Sequence, residues 1–309
     1  MRTKERLSAT VRLLCFGILL VATAIRLGTE LYERQPAIAA TTTQPTENIY
    51  PIYPTIFYEP PAERTRLTFQ ESDTAFAPID NWSGIDIDAG ELIARATNFE
   101  LSDEPMILIV HTHATEAYCQ TPGARTTDTS QNVVHIGQLL AQTLNENGIN
   151  TLHDTTLIDE SGYYDAYSRA AEIIEGYLGK YPSIQMVIDV HRDSITDENG
   201  DQIALHAQIE DTSAAQLMFV MGTNTSGLYH PNWQENLSFA LKLQALCEKE
   251  AQGLFRDLNL RSQRYNQHLT PHSLLIEVGS AGNTLQEAET SIRYFAQQLS
   301  KLLLGAEVK

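Results

Sequence analysis

The chain has 309 residues, 42% of them hydrophobic, and a formal net charge of -18. The length fits one or two domains, and the hydrophobic content is enough for a buried core. The strong negative charge argues against a nucleic-acid-binding protein, because such proteins need a basic surface.

The first predicted element is an apolar segment near the N-terminus. Basic residues precede the run "LLCFGILLVATAI" at 13–25, which is the layout of a secretory signal sequence. We predict that residues 1–34 form an uncleaved, single-pass signal anchor in the cell membrane, with the rest of the chain outside the cytoplasm. A signal peptide cleaved after the small residues at 22–24 is the alternative.

Residues 35–80 form the second predicted region, which is rich in proline and threonine. Recurrent prolines exclude a regular helix or a central strand, so we interpret this region as an extended linker. Residues 81–309 then show the pattern of a globular, catalytic domain.

Strands and helices alternate within 81–309. Apolar runs predict buried strands, and segments with apolar residues at helical spacing predict helices. The strands lie within 106–113, 149–154, 184–194, 214–224 and 273–284, and the helices within 132–148, 163–182, 233–253 and 285–305. Asn199-Gly200 predicts a hairpin turn. This order indicates a single α/β domain whose mostly parallel central sheet is flanked by helices.

Three of the predicted strands end in side chains that bind metals or transfer protons. They are His111, His113 and Glu116 after the first, Asp189, His191 and Arg192 in the third, and Glu277 in the last. The carboxyl ends of parallel strands form the ligand-binding edge of such a sheet. Burying charged groups there costs several kcal/mol unless they are paired or bind a metal. We therefore expect these side chains to converge on one functional site.

The residue types narrow the chemistry of this site. Histidine and carboxylate ligands without thiolates are typical of a catalytic zinc with an open coordination position. We predict that His113, Glu116 and His191 bind Zn²⁺; Asp128, just before the first long helix, is an alternative carboxylate ligand. Glu277 is the candidate general base for a metal-activated water. The set predicts metal-assisted amide hydrolysis.

Further polar residues are candidates for supporting this site. His111 directly follows the apolar run, and Asp189 and Arg192 flank His191. We expect His111 or Asp189 to orient a ligand, as second partners of metal-binding histidines do. His230 and His268 lie in polar loops and could line a substrate groove.

The motifs "HTHATEAY", "MVIDVHRDS" and "LLIEVGSAGNTLQEA" resemble the stage II sporulation protein P family, over about residues 81–309. That family is similar to the zinc-dependent N-acetylmuramoyl-L-alanine amidases. The resemblance implies that His113 and His191 are the histidine ligands and that Glu277 is the catalytic base. It leaves the carboxylate ligand open between Glu116, which we favour, and Asp128.

The resemblance also implies a substrate. The expected reaction is cleavage of the amide between the lactyl group of N-acetylmuramic acid and L-alanine in peptidoglycan, with endopeptidase action on cross-links as a second activity. The expected partners are glycan strands and stem peptides, the membrane, and the engulfment proteins D and M. The alternatives are a zinc carboxypeptidase or endopeptidase that cleaves only wall peptides, and a non-catalytic wall-binding scaffold.

Overall fold

The structure is a computed structural model that describes residues 67–305 of the chain. The predicted anchor, residues 1–34, and most of the predicted linker lie outside these residues. Between residues 67 and 305, every helix is too short or too polar to cross a bilayer.

Strands and helices alternate along the described part of the chain, as the sequence predicts. The strands are β1 (Ile79–Asn81), β2 (Ile107–Val110), β3 (Thr151–His153), β4 (Met186–Asp193), β5 (His206–Ile209), β6 (Thr212–Ala215), β7 (Leu217–Gly222), β8 (Leu258–Arg261) and β9 (Leu274–Ser280). The α-helices are α1 (Ala89–Ala94), α2 (Val133–Glu146), α3 (Ala166–Lys180), α4 (Trp233–Glu250) and α5 (Leu285–Leu304). Short 3-10 helices cover Glu71–Phe76 and Pro122–Ala124.

Seven of these strands form one sheet in the order β1-β8-β7-β9-β4-β2-β3. Neighbours within β1-β8-β7 and within β9-β4-β2-β3 are parallel, whereas β7 and β9 are antiparallel. Strands β5 and β6 pair separately as an antiparallel hairpin. The mostly parallel central sheet with flanking helices is therefore confirmed.

Both faces of the sheet are covered by helices, which explains the uninterrupted apolar run of β2. Ile107 and Ile109 belong to the large core that includes side chains of α2, α4 and α5. Leu108 and Val110 point to the other face and pack with Ile174 of α3. A strand buried on both faces needs apolar residues at every position, not at alternate ones.

Local signals fix the ends of the helices that flank the site. The side chain of Asn132 accepts a hydrogen bond from the N–H of Val134 at 2.9 Å and caps α2. Thr284 and Glu287 form a reciprocal capping box at the start of α5. Gly137 lets α2 approach the end of β2, since a Cβ atom there would lie 2.4 Å from Nε2 of His111.

The structure differs from the predictions at several short elements. Strands β1 and β8 are not predicted. Because Ile79–Asn81 pairs with β8, the domain begins before residue 81, its predicted first residue. A turn does form at Asn199-Gly200, closed by a bridge between Thr196 and Gln202. The longer hairpin of this region, however, is β5–β6, which turns at Glu210, a residue with a φ of 53°.

Candidate active site

The register of three adjacent strands brings the predicted site residues together. His191 of β4 lies directly opposite Glu277 of β9, and Asp189 lies opposite Val110 at the end of β2. Side chains two residues apart on a strand share a face, so Asp189 and His191 project to the same side of the sheet. His113 follows β2 in the adjacent loop, and its ring centroid lies 5.4 Å from that of His191.

His191 is at the centre of this group, between two carboxylates. Its Nε2 atom lies 2.9 Å from Oδ1 of Asp189, and its Nδ1 atom lies 3.4 Å from Oε2 of Glu116. Burial by itself would lower the pKa of His191, but the two carboxylates raise it well above its usual value. Apart from this ion-pair contact with Asp189, the buried Nε2 atom has no partner among the described residues.

Thr112, the residue after His111, holds the Asp189 carboxylate in place. The backbone N–H and the hydroxyl of Thr112 donate to its two carboxylate oxygens at 2.8 and 2.6 Å. Burial opposes ionisation of this carboxyl, yet His191 and the two hydrogen bonds from Thr112 lower its pKa. Asp189 is therefore an anion held in a fixed position beside His191.

Arg192, the next residue of β4, also contacts Glu116. Its backbone N–H and Nη1 lie 3.3 and 3.5 Å from the Glu116 carboxylate. Its Nε and Nη2 atoms donate to the carbonyls of Ala117 and Ala124 at 2.9 and 2.8 Å. The buried guanidinium thus fixes the loop that carries Glu116.

Glu277 has the environment of a group that can exchange a proton near neutral pH. Its Oε2 atom is buried and has no hydrogen-bond partner in the described part of the chain. Burial raises the pKa of Glu277 to about 8; His191 opposes this rise, and Glu116 adds to it. General acid–base catalysis is most efficient when the pKa lies near the working pH.

His113 is covered by aromatic side chains that sequence reasoning missed. The ring of Tyr163 stacks on it with centroids 4.1 Å apart, and Tyr167 makes an edge contact at 5.7 Å. Its Nδ1 atom is buried without a hydrogen-bond partner within residues 67–305 and lies 3.9 Å from Oδ2 of Asp159. The pKa of His113 is lowered, mainly by burial.

Asp159 is a further residue that sequence reasoning missed. Its carboxylate accepts hydrogen bonds from the N–H and hydroxyl of Thr115 at 2.9 and 2.8 Å and also binds Arg125. In the sequence, Asp159 is an acidic residue in a polar loop. Such residues are too common to identify one of them as part of a site. Asp159 ties the segment that carries Tyr163 to the loop that carries His113.

Of the two candidates for a supporting role, Asp189 lies beside His191, whereas the hydrogen-bond partners of His111 are a backbone carbonyl and another histidine. Its Nδ1 atom lies 3.0 Å from the Val190 carbonyl, and its Nε2 atom lies 2.8 Å from Nε2 of His153. A carbonyl can only accept, so Nδ1 of His111 carries the proton and Nε2 accepts from His153. Burial lowers the pKa of His111 to about 4, which keeps the ring neutral.

The remaining candidates lie apart from this centre. Asp128 is exposed and accepts hydrogen bonds from the N–H and hydroxyl of Ser130, so Glu116, not Asp128, is beside His191. His230 and His268 lie together, with ring centroids 6.4 Å apart.

The donor types of the central group suit a catalytic zinc. Two imidazoles and a carboxylate are ligands of such sites, and the nitrogens His113 Nδ1 and His191 Nε2 are buried without hydrogen-bond partners inside the described range. Within residues 67–305, however, no three His, Cys, Asp or Glu side chains already enclose a position for a metal. The side chains thus fit a zinc site by their chemistry and by their proximity. In the structure, Glu116 pairs with His191 instead of facing a metal position.

The fold and the site together define an α/β protein with a buried histidine–carboxylate centre at the ends of neighbouring strands. The family model described as stage II sporulation protein P (SpoIIP) matches residues 62–300. The chain belongs to this family. Stage II sporulation protein P of Bacillus subtilis (strain 168) is 28% identical over 221 residues, which cover 66% of this chain and 53% of that protein. The match thus spans about half the length of that relative.

Solved amidase structures also resemble the chain at low identity. The CwlD amidase of Clostridioides difficile, solved in complex with the GerS lipoprotein, has a TM-score of 0.40 and 16% identity, over 65% of this chain and 95% of that chain. The amidase AmiC2 of Nostoc punctiforme has a TM-score of 0.38 and 12% identity, over 66% and 97%. Ami1 of Mycobacterium smegmatis has a TM-score of 0.39 and 12% identity, over 67% and 100%.

Proposed function

We propose that the chain is a zinc-dependent N-acetylmuramoyl-L-alanine amidase that cleaves peptidoglycan during sporulation. Membership of the stage II sporulation protein P family supports the biological setting. The observation that carries the chemical proposal is the register of β4 and β9, which places His191 and Glu277 opposite each other beside Glu116 and His113. The group combines candidate ligands with a candidate proton acceptor in one buried centre.

In this proposal His113, Glu116 and His191 hold the metal. Zinc, when bound in such a site, polarises a carbonyl and lowers the pKa of water to about 7. Asp189 and Arg192 keep His191 and Glu116 in position through the contacts described above.

Glu277 performs the proton transfers. Its buried Oε2 atom takes a proton from the attacking water and delivers it to the nitrogen of the leaving amine. Burial raises the pKa of Glu277 above its usual range, which favours a carboxyl that can both take up and release a proton. Burial of the site also removes competing water from the reacting groups.

The test is the digestion of purified peptidoglycan by the intact chain and by Glu277→Gln. We expect the intact chain to release stem peptides with free L-alanine amino groups, and Glu277→Gln to lose at least about 100-fold in rate, as expected for loss of a general base. Zinc content, measured by elemental analysis, should be the same in both proteins. Release by Glu277→Gln at the normal rate would refute the assignment of the base.

The same digestion separates the alternatives. New amino groups within the cross-links, without free lactyl groups, would indicate an enzyme that acts only on wall peptides. Binding to peptidoglycan without any release would indicate a scaffold. Open coordination in a two-histidine, one-carboxylate set favours catalysis over a structural metal, since structural zinc sites are closed.

The proposal extends to location and partners. The basic and apolar N-terminal segment supports a membrane anchor, with residues 35–80 as a tether that lets the catalytic domain reach the wall. We also propose that the protein acts beside the sporulation proteins D and M, as the resemblance to its family implies. Membrane fractionation of cells expressing the full chain, with and without residues 1–34, tests the anchor.

A further inference from the structure

A second group of nitrogen atoms lies outside the proposed catalytic centre. His230 is 2% exposed, and neither of its ring nitrogens has a hydrogen-bond partner within residues 67–305. The Nδ1 atom of His268, in the neighbouring ring, is also buried and unpaired. A buried polar group without a hydrogen-bond partner is energetically unfavourable, so three such atoms in one place point to a ligand.

The charge around these imidazoles is positive. Arg264 is close enough to lower the pKa of both His230 and His268, although burial is the larger cause in each case. Burial and these neighbours lower the pKa of His230 to about 4, so its ring is neutral and carries one N–H donor. A cation beside neutral imidazoles disfavours a metal ion and favours an anion. The Nη1 atom of Arg264 donates to the backbone carbonyl of Tyr229 at 3.1 Å, which leaves its other donors for such a ligand.

The turn that carries Arg264 and His268 is locked in an unusual conformation. Tyr265 and Asn266 have φ angles of 47° and 58°, a region that residues other than glycine rarely adopt. Gln267 holds the turn by bonds to the N–H of Gly222 and the carbonyl of Val220, both at 2.8 Å. Residues in strained backbone conformations cluster at ligand sites.

This turn also connects the histidine pair to the catalytic centre. The ring of Tyr265 lies 5.8 Å from that of Tyr167, which in turn contacts His113. The side chain of Asn266 donates to the Tyr167 carbonyl at 2.7 Å. The turn that carries Arg264 and His268 is therefore linked to His113 through the rings of Tyr265 and Tyr167.

We propose that Arg264, His230 and His268 form a subsite that binds a free carboxylate of the peptide substrate. The carboxylate accepts one N–H from each imidazole and a charge-assisted hydrogen bond from Arg264. This subsite rests on the proposed function, because it assigns the peptide part of the same substrate to a place in the fold. It would give the protein a preference for peptides whose carboxyl groups are unmodified.

The experiment measures binding without turnover. The full chain carrying Glu277→Gln is titrated calorimetrically with the wall tripeptide alanyl-isoglutamyl-lysine, and with two versions amidated at either the glutamate α-carboxyl or the C-terminal carboxyl. We expect the free peptide to bind about tenfold more tightly than one of the amidated versions, as the loss of one charge-assisted bond requires. The version that loses affinity identifies which carboxylate occupies the subsite.

Two variants and a control make the result specific. Adding Arg264→Gln, or separately His230→Phe, should abolish the tenfold preference, whereas Arg293→Gln on the exposed face of α5 should keep it. His230 is buried, so His230→Phe can impair folding. Arg264 is only partly buried, so we expect Arg264→Gln to fold normally and to provide the test in that case. Equal affinity for all three peptides, or a preference that survives both variants, would overturn the subsite.

Two further outcomes distinguish the carboxylate subsite from a metal site and from the proposed catalysis. Zinc binding that survives His113→Ala and His191→Ala together, but is lost on His230→Phe, would mean that the imidazoles hold a metal, and would overturn the carboxylate assignment. A wild-type chain that releases nothing from peptidoglycan, while the Glu277→Gln chain keeps the carboxylate preference, would refute the proposed catalysis and leave the subsite standing.

Discussion

At the scale of single residues, Arg192 shows how the candidate site is held together. Its guanidinium is buried and contacts the Glu116 carboxylate and two backbone carbonyls of the loop that follows β2. Glu116 is equally buried, and its pKa is lowered because His191 and Arg192 outweigh the opposing effect of burial. His191 and, to a smaller extent, Arg192 thus favour the ionised form of the Glu116 carboxylate.

Replacing Arg192 should destabilise the protein strongly. In Arg192→Met the Glu116 carboxylate remains buried with one cationic partner fewer, and we expect the free energy of unfolding to fall by about 3–5 kcal/mol. Arg256→Met is the matched control, because Arg256 pairs with Asp193 at 2.6 Å in a partly exposed position and its loss should cost about 1 kcal/mol or less. Urea unfolding measures both; equal losses would contradict the structural role of Arg192.

The residues of the site were predictable to different degrees. Both His191 and Glu277 lie inside apolar strands, where a charged group is costly, so their unusual position is visible in the sequence. The sequence separated His113, a candidate ligand, from His111, a candidate supporting residue, but the pairing of His111 with His153 was not visible, because it joins side chains 42 positions apart. Asp159 lies in an irregular loop, and only the folded chain brings it to Thr115.

At the scale of elements, the approach of α2 to the end of β2 depends on Gly137. Its replacement by alanine would place a Cβ atom 2.4 Å from His111 Nε2 and 2.9 Å from His153 Nε2. Both rings are held by their mutual hydrogen bond, so the helix itself must move.

Gly137→Ala should therefore lower the free energy of unfolding by about 1–3 kcal/mol, the usual cost of overpacking. Gly179→Ala in α3 is the control, since a Cβ atom there meets nothing within 4 Å and alanine favours the helix by up to about 1 kcal/mol. Thermal unfolding should give shifts of opposite sign for the two variants. A Gly137→Ala protein as stable as the original would show that the helix position is not limited by this contact.

The start of α5 should make stability depend on pH. Burial by itself raises the pKa of Glu287, but hydrogen bonds from Thr284, Asn283 and Ser213 lower it below the usual 4.5. A carboxylate whose folded-state pKa is lowered stabilises the fold above its unfolded-state pKa, and this contribution is lost as the pH falls through the folded-state value.

Glu287→Gln should thus cost about 1 kcal/mol at neutral pH, and the difference from the original chain should shrink as the pH falls below 4.5. Denaturant titrations of both proteins at pH 7 and at acidic pH measure this difference. A constant difference would mean that the cap does not depend on ionisation of Glu287.

The longer elements were predictable because their patterns are redundant. The helix α5 has apolar residues at helical spacing over five turns, a capping box and a terminal glycine, and each signal indicates the same boundaries. The short strands β1 and β8 carry too few residues to show a period. Their pairing of Ile79 with Leu258 joins distant parts of the chain, which a local pattern cannot reveal.

At the scale of the whole molecule, the domain begins before the predicted boundary. Phe69 and Ile79 pack against the large core, and Asp73 pairs with Lys249 of α4 at 2.7 Å. The family match likewise begins at residue 62. The folded domain therefore begins before residue 80, where the proline-rich composition predicts that the linker ends.

A chain that starts at Trp82 should be less stable than one that starts at Leu67. The shorter chain lacks β1 and the packing of Phe69 and Ile79, and we expect it to lose about 2–3 kcal/mol of unfolding free energy. Urea unfolding of the two fragments measures the loss. Equal stability would place the boundary of the folding unit where the composition alone suggested.

The position of β9 has a consequence for the order in which the sheet and the candidate site are assembled. This strand comes last along the chain, yet it joins the two halves of the sheet, pairing with β7 on one side and with β4 on the other. During synthesis or export, which proceed from the N-terminus, those halves stay unconnected until residues 274–280 emerge. A chain that stalls before that point already carries His113 and His191, but it lacks both the joining strand and Glu277. The strand that joins the two halves of the sheet is thus also the strand that supplies Glu277, so the candidate proton acceptor arrives together with the connection between the halves.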